Sequence, residues 1–151
     1  MNKEKYMQYA LKQAYRAASI DEVPVGAVIV DPQSGKIIAK AFNKTAHGGN
    51  PTGHAEILAI QKACKKLNSN RLRDMDMNVT LEPCTMCAAA ISFSRITNLF
   101  IGSLDPKGGA VINGVRFYEA ATCHHKPHVE HGICDEESSK LLKMFFKNKR
   151  V

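Results

Sequence analysis

The chain has no tryptophan, and only four tyrosines and six phenylalanines among 151 residues. That scarcity argues against a broad aromatic platform that stacks successive bases of a single strand. No apolar run approaches the roughly 20 residues that span a bilayer. No apolar signal-like core follows Met1-Asn2-Lys3-Glu4-Lys5. A membrane partner is therefore not expected, and a cytoplasmic location is. Cysteines number five, an odd count, which argues against a disulfide framework and fits a reducing compartment. There is no internal repeat, low-complexity segment or interdomain linker. The length suits one domain, expected over residues 1–151, with a core large enough to stand without disulfides. What the chain has in excess is positive charge. Lys plus Arg total 21 against 14 Asp plus Glu, a formal +7, which permits a polyanionic partner without requiring one.

Two short stretches carry chemistry. His54-Ala55-Glu56 opens the apolar segment Ile57-Leu58-Ala59-Ile60. Pro83-Cys84-Thr85-Met86-Cys87 follows the strand-like run Val79-Thr80-Leu81 and opens an alanine-rich segment. Two residues between Cys84 and Cys87 let both sulfurs reach one ion from the first turn of a helix, where the partial positive charge favours thiolates. With His54 they make a one-imidazole, two-thiolate zinc site. Three protein ligands leave the fourth tetrahedral position for water, which marks a catalytic rather than a structural site. Glu56, two residues after His54, need not point the same way and is placed to shuttle protons. The competing reading is a structural site completed by a fourth ligand such as Cys64. Its helical spacing from Ile57 and Ile60 instead suggests a small core residue.

Along the chain, Met7, Ala10, Leu11, Ala14, Ala17 and Ala18 recur at three- and four-residue steps, predicting an amphipathic helix. Residues 25–30 and 37–42, separated by Asp31-Pro32-Gln33-Ser34-Gly35, predict a hairpin. Residues 45–53 form a loop in which His47 reads as solvent-exposed with no named partner. Ile57, Ile60, Cys64 and Leu67 predict the inward stripe of a second helix, leaving Lys62, Lys65 and Lys66 on its solvated side. A third strand is expected over 77–81, a helix over 84–93 and a fourth strand over 98–102. The long stretch 103–126 has little periodicity beyond a short helix within 113–119. Cys123, His124, His125, His128, His131 and Cys134 crowd together next. They read either as a second metal site or as a polar loop with an edge strand over 128–133. A last helix begins at Asp135, with a stripe of Ser138, Leu141, Leu142, Phe145 and Phe146, acids at its start and Lys147, Lys149 and Arg150 at its end. Alternating strands and helices predict a three-layer α/β/α fold, a five-stranded mixed sheet with helices on both faces and ligands at the strands' carboxyl ends.

His-x-Glu with Pro-Cys-x-x-Cys resembles the signature of zinc-dependent nucleobase deaminases. The likeness extends to Val25-Gly26-Ala27-Val28, Phe42-Asn43, Asn50-Pro51-Thr52-Gly53, Thr80-Leu81-Glu82-Pro83, Asp105-Pro106-Lys107-Gly108-Gly109-Ala110 and Phe145-Phe146-Lys147-Asn148-Lys149-Arg150. Together these resemble bacterial tRNA adenosine deaminases over nearly the whole chain. Residues 111–121 depart from the family's commonest wording, and nothing is carried over there. The resemblance implies a cytidine-deaminase-like fold, a homodimer and one zinc ion per subunit. It implies hydrolysis of adenosine to inosine at the wobble position (34) of a tRNA anticodon. It makes Glu56 the catalytic acid and base, His54, Cys84 and Cys87 the metal ligands, and Asn43, Ala55 and Pro83 the substrate-binding positions. Lys147, Lys149 and Arg150 become candidate tRNA contacts, although complementing the helix dipole also explains them. Two rivals share parts of the pattern. A deaminase of free guanine or cytosine would use the same zinc chemistry. A nonenzymatic zinc or RNA-binding module would have no need of Glu56.

Overall fold

A computed structural model gives the structure and describes residues 2–149. Helix α1 (Lys3–Ser19) is capped by Asn2, whose side chain accepts from the Lys5 N–H. It buries Met7, Ala10, Leu11, Ala14 and Ala17. Strands β1 (Gly26–Asp31) and β2 (Lys36–Phe42) form the expected hairpin. Then follow α2 (Ala55–Leu67), β3 (Asp76–Leu81), α3 (Thr85–Ser94) and β4 (Asn98–Ser103). A single 3-10 turn at Phe117–Glu119 stands where a short helix was expected, followed by β5 (His128–His131) and α4 (Asp135–Lys149).

The strands lie in the order β2-β1-β3-β4-β5. β1 runs antiparallel to β2 and β3, while β3, β4 and β5 are parallel. The mixed sheet of the sequence expectation is therefore present. Side chains alternate across it. Ala27 and Ile29 of β1, with Leu99 and Ile101 of β4, pack against α2 and α3 on one face. Val28, Val30 and Phe100 pack against α1 on the other, where α4 also sits, its Ser138 hydroxyl donating to the Thr80 carbonyl. Gly26 lets α1 press onto β1, since a Cβ there would lie 2.0 Å from the Ala10 carbonyl oxygen.

Two predicted stripes differ from the packing. In α2 the buried residues are Ala55, Glu56, Ala59 and Ala63. Alanines four apart let this helix lie close on the sheet, which turns Ile57, Ile60 and Cys64 to half-buried positions and leaves Leu67 exposed. Cys64 is thus half-buried, packed against the margin of the core rather than fully inside it. In α4 only Ser138 is fully buried, and Phe146 is 43% exposed.

Candidate active site

The register brings the carboxyl ends of β2, β3 and β4 to the edge where β1 begins, because Phe42 pairs with Gly26 and Leu81 with Ser103. Both chemical motifs leave the sheet at this edge. His54 is the N-cap residue of α2 and Cys84 the N-cap residue of α3, and neither side chain is used for capping. Their side chains are free to converge, and Cys87 joins them from the first turn of α3. His54 Nδ1 lies 3.5 Å from Cys84 Sγ and 3.4 Å from Cys87 Sγ. Tetrahedral zinc at ordinary bond lengths to N and S requires a separation of about 3.5 Å. These three residues therefore fit the metal that the motif implies. Among the described residues they are the only such His/Cys/Asp/Glu cluster, and no fourth ligand completes it. The structural-site alternative with Cys64 is thereby lost.

Local electrostatics favour a cation here. The Cys84 thiol is held at about 4, first by the hydrogen bond from the Cys87 thiol, then by His54 and the Cys87 backbone N–H, which together outweigh burial. Cys87 is pushed up by the bond it donates to Cys84 and by burial. A coordinated dication would displace the remaining thiol proton to solvent as well, since coordinating thiols deprotonate outright. Glu56 is only 4% exposed, and burial pushes its carboxyl up to about 7. A carboxyl that exchanges its proton near neutrality is what general acid–base work asks for.

The cavity beside this cluster holds about 250 Å³ and is lined by Val23, Val25, Asn43, Thr45, His54, Ala55, Glu56, Leu81, Glu82, Cys84, Asp105 and Gly108. That volume lies just below the range of pockets for drug-sized ligands and suits one ring system. Asn43, Ala55 and Glu56 line it as the sequence led one to expect. Pro83 is buried just outside the lining, and its carbonyl accepts the Ala110 N–H at 2.9 Å. A second groove, of about 620 Å³, shares Val23, Leu81, Asp105 and Gly108 with the first and continues along α4 past Lys107, Leu142, Lys143 and Phe146. Lys147 lines a further hollow with Phe146. Lys149 pairs with Asp21 and lies over the Phe145 ring. Arg150 lies outside the described residues.

Two buried carboxylates that sequence reasoning missed build the walls. Glu22, 3% exposed, accepts from the backbone N–H of Thr45 (3.1 Å) and His47 (2.7 Å) and from Asn43 Nδ2 (3.4 Å), and its Oε2 lies 2.7 Å from His47 Nδ1. His47 is thus exposed but partnered, contrary to its sequence reading. Burial alone would raise the Glu22 carboxyl, yet the bonds from His47, Ala46 and Thr45 win and hold it at about 2. Glu82, 2% exposed, does the same for the long connection, accepting from the N–H groups of Asp105, Val111, Ile112 and Asn113 and from Asn113 Nδ2. Here too burial is outweighed by those bonds, and the carboxyl sits below its usual range. The stretch that lacked periodicity is ordered by one side chain. Glu82 stood in the sequence only as part of the family-like stretch Thr80-Leu81-Glu82-Pro83, and Glu22 only as an acid after Asp21, with no role read for either.

The Cys123–Cys134 cluster does not assemble. Cys123 lies in the core under α3, close to the Ser92 hydroxyl, whereas Cys134 borders α1 on the opposite face near Gln8. The sheet separates them, and the polar-loop reading is the one that stands.

A family model for the cytidine and deoxycytidylate deaminase zinc-binding region matches residues 1–103, which defines the class as a zinc-dependent deaminase. The tRNA-specific adenosine deaminase of Agrobacterium fabrum is 51% identical over 97% of this chain and 95% of its own length. A solved structure from a study of A-to-I editing by tRNA:A34 deaminases at the wobble position of transfer RNA has a TM-score of 0.89. It is 51% identical and covers 91% of this chain and 99% of that one. The guanine deaminase of Bacillus subtilis is less similar, 37% identical over 69% of this chain and 66% of its own, with a TM-score of 0.64. The chain belongs to the tRNA-specific adenosine deaminase family.

Proposed function

We propose that this protein hydrolyses adenosine to inosine and ammonia at wobble position 34 of a tRNA anticodon, as a single-domain cytoplasmic homodimer with one zinc ion per subunit. The observation that carries the reading is the near end-to-end 51% identity to a tRNA-specific adenosine deaminase, joined to a one-base pocket beside the His54, Cys84 and Cys87 cluster. His54, Cys84 and Cys87 would hold a zinc ion, which when bound would supply the Lewis acidity that makes water a nucleophile at neutral pH. The protein's own groups do the rest. Glu56, buried at the pocket floor, takes a proton from the attacking water, delivers it to N1 of the base and then carries one to the departing amine. Asn43 and Ala55 hold the base edge, with Pro83 shaping the turn that presents Cys84.

A pocket of this size admits the base only when it leaves its stack, and an anticodon loop makes that inexpensive, at most a few kcal/mol. The second groove along α4 offers the flanking nucleotides a path toward Lys147, with Lys149 at the end of the same helix. Phosphate contacts drawn from the +7 excess would make binding strongly salt-dependent. For the dimer, Ile60, Cys64 and Ala90 line a groove beside Phe93, which is 72% exposed. The family resemblance suggests a homodimer, and this exposed apolar face is our candidate for its interface. Cytoplasmic residence follows from the substrate class. No helix among the described residues is long and apolar enough to cross a membrane.

The test is a substrate comparison. Purified protein should form inosine in tRNA bearing adenosine at the wobble position, and leave free adenine, guanine, cytosine and their nucleosides essentially unchanged. Faster turnover of a free base would replace this reading with the nucleobase deaminase.

A further inference from the structure

Glu22 stands outside the catalytic cluster, yet its polar contacts all go to the strand end and loop, residues 43–47, that carry two of the pocket-lining residues. Its Oε1 takes the Asn43 side-chain N–H at 3.4 Å, the Thr45 N–H at 3.1 Å, and the Thr45 hydroxyl and Ala46 N–H at 3.4 Å. Its Oε2 takes the His47 N–H at 2.7 Å and faces His47 Nδ1 at the same distance. Asn43 and Thr45 both line the cavity. An asparagine amide has two ends of similar shape and opposite hydrogen-bonding sense, so free rotation would present either end to the base. A carboxylate accepts only. It therefore fixes the Nδ2 end of Asn43 toward Glu22 and leaves Oδ1 as the end with no bonded partner among the described residues. The Asn43 backbone N–H is anchored separately, on the Val25 carbonyl at 3.0 Å, so the strand end is held even when the amide is not. A solvated surface acid would not be 3% exposed, and a burial this complete is stable only with the acceptor bonds filled.

We infer that Glu22 is a positioning residue for base recognition, acting through the orientation of the Asn43 amide. This rests on the function proposed above and extends it to a residue that touches neither metal nor base. The phosphate contacts proposed above lie along α4, so loss of Glu22 should leave tRNA affinity in place and reduce the fraction of bound bases that sit correctly.

The experiment is a double-mutant cycle of Glu22→Gln and Asn43→Ala on tRNA deamination, with zinc content, thermal midpoint and equilibrium tRNA affinity measured for each protein. Glu22→Gln should lower kcat by about 10- to 100-fold, as misplacement of a bound reactant does, with tRNA affinity within about twofold of wild type and zinc retained. In the Asn43→Ala background the same change should cost little more, because residues acting as one unit are not additive. Losses that multiply, an activity loss matched by lost zinc, or unchanged kcat in folded Glu22→Gln would each overturn the inference. If the glutamine variant melts below the assay temperature, Glu22→Asp, which keeps the charge but withdraws it by one methylene, carries the same cycle. Should the wild type prefer a free base, the proposed substrate falls. The cycle run on that base still decides the role of Glu22, since Asn43 lines the pocket for either substrate.

Discussion

Gly109 offers a sharp test of how the long connection is held. A Cβ built there would lie 2.3 Å from the Glu82 carboxyl carbon and 2.5 and 2.6 Å from its oxygens. The carboxylate is not a loose side-chain end. It accepts five hydrogen bonds, at 2.9 Å from Asp105, 3.1 Å from Val111, 2.9 Å from Ile112, and 2.9 and 2.7 Å from the backbone and side chain of Asn113. To reach ordinary contact with a methyl group the carboxyl must retreat by about 1 Å, a shift large enough to break the length and alignment of several of these bonds. Each bond to a charged group is worth roughly 1.5–3 kcal/mol, and overpacking alone costs about 1–3 kcal/mol. With partial relaxation, Gly109→Ala should lose about 2–4 kcal/mol. In urea titrations, where small proteins show slopes of roughly 1–3 kcal/mol/M, the midpoint should fall by about 1–2 M. Activity should fall too, because Asp105 and Gly108 of the same loop line the pocket. Gly132→Ala is the control. Its Cβ meets nothing within 4 Å, but its φ is +88°, so only backbone strain of roughly 1–2 kcal/mol applies. A Gly109→Ala protein within about 0.5 kcal/mol of wild type, the range of neutral surface changes, would refute the clamp.

Three further outcomes are expected. Metal analysis should find about one zinc per chain, and Cys84→Ala should lose it together with stability, read by melting with and without chelator; tight zinc in that variant would contradict the ligand assignment. Because the folded pKa of Glu22 is depressed to about 2, its stabilisation is complete above the unfolded value of roughly 4.3 and is lost as pH falls toward 2. The stability gap between wild type and Glu22→Gln should therefore narrow between about pH 5 and pH 2, and a gap independent of pH would oppose the clamp. Light scattering at assay concentration should report a dimer, weakened by charge at the exposed Phe93 position (Phe93→Glu); a fully active monomer would end the homodimer proposal.

The sequence made the metal cluster legible because its geometry is local. Cys84 and Cys87 share a helical turn, and His54 needs only to begin a helix beside it. The hairpin was legible from two apolar runs around Asp31-Pro32-Gln33-Ser34-Gly35. The inward face of α2 was not, because hydrophobic size pointed to Ile57, Ile60, Cys64 and Leu67 while close approach to the sheet selected Ala55, Ala59 and Ala63. Glu22 and Glu82 were illegible for a different reason. A buried acid is recognised by its donors, and those lie about 20 to 30 residues away in loops without periodicity. The dispersal of Cys123 and Cys134 to opposite faces is likewise a consequence of the sheet rather than of spacing.

The central claim is that a buried glutamate beside a three-ligand zinc site deaminates a tRNA adenosine. Glu56→Gln keeps the shape of that side chain and removes its carboxylate. Inosine formation in tRNA, measured together with zinc content, should fall by at least ~100-fold, the usual scale of general acid–base catalysis, while zinc stays bound. Near-normal inosine formation by the zinc-loaded variant would contradict the account.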